Sequence, residues 1–358
     1  MNPEINTPRI ESLDGFRAIS ISMVIIAHLR VGILNSYVDL GNLGVRIFFV
    51  ISAFLISNII IKQKSKSETW DGLKIFYFRR FLRILPALWL YFCVTIIILK
   101  LLQLFEFSQF WRAFLFIENY HPRSMWTNGQ WPFGHIWSLS VEEQFYTIFA
   151  PLFFYLSAKK MLRFLVVVIL IAPLVRMGFW FIDFPEIMEG SVHRSFETVM
   201  DALAFGSLAY SYREKIINWK YFGYLSSLVM VLLIIFIQTL NSSQSIVLFG
   251  YLPRLVYNTF GISVQCVLIC GLIIRYSSIK CKNTLGWKLL NHKILVSIGL
   301  MSYSIYLWQQ IWLYSTFALP VYISIPGMFL SAFISYYFVE NPINKNREII
   351  LTKINARN

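Results

Sequence analysis

Runs of about twenty apolar residues, each long enough to cross a bilayer as a helix, alternate with short polar clusters from one end of the chain to the other. Cutting at the polar clusters gives ten segments, at about 16–34, 42–61, 84–104, 136–157, 161–182, 196–212, 221–240, 256–275, 294–314 and 320–338. The sixth is short and polar. No internal repeat, Gly/Ser linker or low-complexity run breaks the pattern, and no polar stretch approaches the ~50 residues of an independent soluble domain. The pattern predicts an all-α fold: a polytopic membrane helix bundle of about ten transmembrane helices, one domain over residues 1–358, with no appended soluble domain.

Composition agrees. A chain of 358 residues would ordinarily form two soluble domains, but this one is 57% hydrophobic and only 14% charged, where a soluble surface needs about a quarter. Cys93, Cys266, Cys270 and Cys281 lie in or beside apolar segments, at spacings unlike any zinc or haem site, and read as core thiols; no metal is expected. The first apolar segment carries Arg17, His28 and Arg30, so it does not read as a cleavable signal peptide.

The net charge of +14 raises the question of nucleic acid, and the positions of the charges answer it. With the N-terminus in the cytoplasm, most of the 32 basic residues fall in cytoplasmic loops: Lys62 to Arg83, Lys159 to Arg163, Arg213 to Lys220, Arg275 to Lys293 and Lys345 to Arg357. The loops assigned outside, 105–135 and 183–195, hold only Arg112, Arg123 and Arg194. The positive-inside rule therefore places both termini in the cytoplasm, with an even number of spans. No basic, aromatic-interleaved soluble surface remains for nucleic acid.

Ionisable groups inside apolar spans cost several kcal/mol unless they face a bundle interior, a partner or water, which makes them the informative residues. Arg17 and His28 are eleven positions apart, so on a helix they share a face at about 16 Å of axial separation. Histidine there suits general-base chemistry, or serves as one polar contact in the bundle. Glu142 and Glu143 open the fourth segment about 100° apart, so at least one faces a polar cavity; Glu142 sits at a depth that would let it orient His28, or it is a structural carboxylate. Arg79, Arg80 and Arg83 group on one helix face, a geometry suited to phosphates and equally to an interfacial anchor. Other buried or interfacial charges are Arg46, Arg176, Glu197, Asp201 and Arg254, with Glu197 and Asp201 spaced to face one polar environment together.

Six ordered motifs then carry a resemblance. Leu13-Asp14-Gly15-Phe16-Arg17 followed by His28, Gly44-Val45-Arg46 leading into Phe48-Phe49-Val50-Ile51-Ser52, the Arg80-x-x-Arg83 pair before Ile84-Leu85-Pro86, Trp137-Ser138-Leu139-Ser140-Val141-Glu142-Glu143-Gln144-Phe145-Tyr146, Ser302-Tyr303-Ser304-Ile305-Tyr306-Leu307-Trp308, and Glu340-Asn341-Pro342 together resemble the membrane-bound acyltransferase 3 family over nearly the whole chain. The resemblance implies ten membrane helices, an acyl group, commonly acetyl, drawn from cytoplasmic acyl-CoA, and a hydroxyl acceptor on a surface or exported carbohydrate or glycolipid. By position, His28 matches the family's essential histidine, Arg17 its partner, Arg80 and Arg83 the Arg-x-x-Arg motif, and Glu142 the helix-4 carboxylate. Gln309 and Arg46 depart from the family pattern, at positions where a different acceptor would show. Some relatives carry an appended esterase-like domain, and this chain ends about twenty residues after its last segment.

The expected enzyme is thus an acyl-CoA-dependent O-acyltransferase of the lipid bilayer, compatible with a homo-oligomer. His28, Glu142 and Arg17 would serve catalysis, His28 either as general base on the acceptor hydroxyl or as transient acceptor of the acyl group, and Arg80, Arg83 and Arg17 would bind the donor's phosphates. A transporter or flippase of glycans or lipid-linked sugars would also use intramembrane charges, but the chain has no inverted repeat or matched pair of broken helices. Aromatics in loop 105–135, among them Trp111, Tyr120, His121, Trp126, Trp131 and His135 beside Asn128, would stack on sugars or form an interfacial belt.

Overall fold

The computed structural model describes residues 9–29, 37–65, 69–120, 132–181, 193–223, 225–313 and 319–355. Among them every regular element is helical. The helices of eight residues or more are α1 (Glu11–His28), α2 (Leu40–Lys64), α3 (Thr69–Leu101), α4 (Phe107–Phe114), α5 (Ile136–Tyr155), α6 (Ala158–Phe181), α7 (Phe196–Asn218), α8 (Ser227–Thr239), α9 (Leu252–Ser277), α10 (Lys293–Leu300), α11 (Ser302–Leu313), α12 (Val321–Ser335) and α13 (Asn341–Asn355). Single π-helical turns interrupt α9 at Tyr257–Gly261 and join α12 to α13 at Tyr336–Glu340.

Helices occupy all ten expected segments, yet among the described residues only five stretches are long and apolar enough to cross a membrane on their own: α2, α3, α6, α9 and the run Val321–Arg347. The pair α10 and α11, bent by 69°, makes a sixth if counted as one span. The shortfall has physical causes. The α1 helix carries Glu11, Asp14 and Arg17, and α7 carries Glu197, Asp201 and Arg213. Charges are tolerated there because those faces turn inward, with Asp14 and Asp201 both buried. At 13 residues, α8 is about 20 Å long and falls short on length alone.

Small residues bring the central helices together. α2 packs against α1 on one side and α7 on the other. A Cβ added at Gly44 would stand 2.6 Å from the Ser20 carbonyl oxygen, so α1 and α2 cross almost backbone to backbone. Gly206 on α7 meets the Val50 backbone in the same way. These contacts fix the rotation of α1 against α2 and so aim Arg17 into the interior.

The remaining intramembrane charges are structural. Arg176 on α6 and Asp201 on α7 form a wholly buried ion pair at 2.9 Å, and Arg176 also donates to the Thr259 carbonyl in the π-turn of α9. Glu197, one turn before Asp201 on α7, takes a separate partner, accepting from the Tyr120 hydroxyl at 2.8 Å. Arg46 donates to Tyr257 at 2.9 Å and Gln265 at 2.6 Å. Cys266 and Cys270 are core thiols, but Cys93 is exposed on α3, where an apolar thiol costs nothing against lipid.

Candidate active site

A single elongated pocket gathers most of the residues singled out by sequence. Its long wall is one face of α2, where Val45, Phe49, Ser52, Ile56 and Ile59 recur at helical spacing over about 21 Å. Arg80 and Arg83 of α3, Ser138, Glu142 and Tyr146 of α5, and Tyr303 and Tyr306 of α11 complete it, with Arg17 of α1 and Glu340 of the second π-turn. The empty volume is about 950 Å³, counting the solvent at its open mouth. On α5 the pocket's Ser138, Glu142 and Tyr146 follow at i, i+4 and i+8, so one polar stripe of the helix faces the pocket.

Two clusters of charge divide this pocket. Where α1 begins, Arg17, Arg83 and Glu340 lie together. Arg17 donates to Asp14 at 3.2 Å, and Asp14 is held on its other side by Arg9 at 2.7 Å. Glu340 accepts from the Ser304 hydroxyl at 2.8 Å. Arg83 makes no hydrogen bond or ion pair among the described residues.

The second cluster surrounds Glu142. Its carboxylate accepts from Ser52 at 2.9 Å, from Tyr146 at 3.0 Å and from Arg80 at 3.4 Å. The Arg80 guanidinium also donates to Glu143 at 3.1 Å and lies over the Tyr146 ring, 3.1 Å from its centroid. Three donors thus converge on the Glu142 oxygens, which act here as acceptors.

At the far end of the pocket the Tyr306 hydroxyl bridges Ser138, at 2.6 Å, and the His135 carbonyl, at 2.8 Å. The His135 ring lies 5.4 Å from the Tyr306 ring and within electrostatic reach of His28. His28 itself is the last residue of α1 and is not among the residues lining the pocket. Its Nδ1 lies 2.8 Å from the Val24 carbonyl. A carbonyl only accepts, so Nδ1 is the donor in this contact.

The structure therefore brings Arg17, Arg80, Arg83 and Glu142 into one cavity, with His28 beyond its end. The hydrogen bonds described for Glu142 run to Ser52, Tyr146 and Arg80, and the one described for His28 Nδ1 to Val24. Sequence reading missed Ser52, Tyr306 and Glu340 as pocket residues, and His135 as a neighbour of His28. Tyr146 was within reach, being four positions after Glu142 on the same helix face. Of the loop aromatics, His121, Trp126, Asn128 and Trp131 lie outside the described residues.

A helical chain with several membrane-length spans and a charged internal pocket is a membrane-embedded binding or transfer protein, and sequence comparison gives its kind. The family model described as an acyltransferase domain matches residues 10–340, so the chain belongs to the acyltransferase 3 family. It is similar to the O-acetyltransferase OatA of Staphylococcus aureus (strain NCTC 8325 / PS 47), with 27% identity over 95% of this chain and 58% of that protein. It is also similar to the peptidoglycan O-acetyltransferase OatA of Listeria monocytogenes, with 28% identity over 94% of this chain and 56% of that protein. The chain thus spans somewhat over half the length of these relatives. No solved structure matches it.

Proposed function

We propose that this protein is an integral-membrane O-acetyltransferase that moves an acetyl group from cytoplasmic acetyl-CoA to a hydroxyl of a cell-surface or exported carbohydrate, peptidoglycan being the acceptor named for one relative. The observation that carries this reading is the pocket: a long apolar wall, two arginines at one end, and Ser138, Glu142 and Tyr146 one turn apart along its side. In this reading the positively charged loops place both chain termini in the cytoplasm and the bundle in the inner membrane, with ten spans.

The donor's phosphates rest at the arginine end, and the pantetheine arm lies along α2, whose pocket face of about 21 Å suits a molecule of that length. His28 Nε2 takes the proton of the acceptor hydroxyl as its oxygen attacks the thioester carbonyl. The tetrahedral intermediate collapses, the C–S bond breaks, and the proton passes from the His28 imidazolium to the departing thiolate. The anionic Glu142 cluster lowers the energy of that imidazolium through its field.

A His28→Ala variant tests the reading. Loss of acetylated glycan while unacetylated glycan still reaches the surface is the expected result. Loss of glycan export would instead identify a transporter.

A further inference from the structure

The two arginines of the Arg80-x-x-Arg83 pair sit three residues apart on one face of α3, and by position alone they would share one job. Their surroundings differ. Arg80 is ion-paired with Glu142 and Glu143, its guanidinium face is covered by the Tyr146 ring, and its side chain is 9% exposed. One positive charge against two negative ones leaves that neighbourhood net anionic, which repels phosphate. Around Arg83 the balance reverses. Its guanidinium makes no hydrogen bond or ion pair among the described residues, Arg17 stands in the same pocket wall with its partner Asp14 shared with Arg9, and Glu340 is the one carboxylate lining that end.

We infer that the pair is divided in function: Arg83, with Arg17, receives the anionic phosphates of the donor, and Arg80 is a positioning residue that holds Glu142 in place as an anion. The inference rests on the proposed use of acyl-CoA only for the identity of the phosphates. It narrows the expectation from sequence, which gave Arg80 and Arg83 the same role. A guanidinium already engaged by two carboxylates and a ring would have to break those contacts to bind a phosphate, whereas Arg83 breaks none. Positioning by Arg80 also accounts for Tyr146, which both hydrogen-bonds Glu142 and stacks on Arg80.

The test uses the full-length protein in lipid nanodiscs and measures binding of CoA and of inorganic pyrophosphate, with CoA release from acetyl-CoA as the turnover readout. Arg83→Gln should weaken both ligands by about tenfold or more and flatten the salt dependence of binding. Arg80→Gln leaves two partly buried carboxylates without their cation, so the Arg80→Gln/Glu143→Gln double variant accompanies it and keeps the local net charge at the wild-type value. The double variant should keep the wild-type affinity for both ligands and the wild-type KM while kcat falls by about tenfold or more. Arg80→Lys should recover part of kcat, because an ammonium still pairs with the carboxylates. Equal loss of affinity in the Arg80 and Arg83 variants would overturn the division, as would unchanged affinity in Arg83→Gln. If pyrophosphate binds in an Arg83-dependent way and CoA does not, the division stands and the choice of donor falls. If wild type binds neither, the anion receptor itself is wrong.

Discussion

Tyr146 and Glu142, one turn apart on α5, are joined by a 3.0 Å hydrogen bond from phenol to carboxylate, and the same carboxylate accepts from Ser52 across the pocket at 2.9 Å. A hydrogen bond to a charged group contributes about 1.5–3 kcal/mol, and here two neutral donors stabilise one anion inside an apolar bundle. Tyr146→Phe and Ser52→Ala should each lower the rate of acetyl transfer by about tenfold without unfolding the protein. Transfer rate and thermal unfolding of the purified variants give the check; an unchanged rate in both would mean that Glu142 needs neither donor.

The Arg176–Asp201 pair predicts a loss of stability rather than a loss of chemistry. Both side chains are fully buried, so removing one leaves an uncompensated charge, at a cost of about 3–5 kcal/mol. Asp201→Ala should lower the thermal unfolding midpoint in detergent sharply. The Arg176→Met/Asp201→Ala double variant should regain much of the loss, since it removes both charges. A double variant as unstable as the single one would point to the Arg176 bonds with backbone carbonyls as the larger contribution.

Gly44 links packing to the site. Because an added Cβ would stand 2.6 Å from the Ser20 oxygen, Gly44→Ala forces α1 and α2 apart, and overpacking of this kind costs about 1–3 kcal/mol. Since α1 carries Arg17 and His28, acetyl transfer should fall further than stability does. Measuring both on one preparation separates the effects, and parallel losses would show that the crossing matters for folding alone.

His135 is buried at 4% exposure, and among the described residues neither ring nitrogen has a hydrogen-bond partner. Burying such a group unpaired costs about 1–3 kcal/mol. His135→Phe keeps an aromatic ring packed against Tyr91 and Tyr306 and removes that cost, so the variant should unfold at or above the wild-type temperature. Its transfer rate should drop, given how near the ring stands to His28. A variant both stable and fully active would make His135 a packing residue.

Much of the architecture was legible because bilayer thickness and helical rise leave few ways to read a long apolar run, and helices stand at each such run. The number of membrane-length spans was less legible. Apolarity measures what faces lipid, and α1 and α7 face other helices. The pocket was legible where its chemistry is costly: Arg17, Arg80, Arg83 and Glu142 stand out in an apolar chain because charge there needs a reason. Ser52 and Tyr306 were not, since serine and tyrosine are common in bundles and carry no such cost. Nor did spacing distinguish Arg80 from Arg83. That difference comes from Glu143 and Tyr146 on another helix, and only the fold brings them together.

The separation of about 16 Å between Arg17 and His28 along α1 has a consequence for the cell. Under the proposed function, the two substrates approach from opposite faces of the bilayer and meet only through the bundle. Each turnover exports two carbons while the nucleotide carrier stays inside and is recycled. The thioester bond formed by metabolism then drives chemistry in a compartment that has no activated donor of its own, and no ion gradient is consumed in doing so.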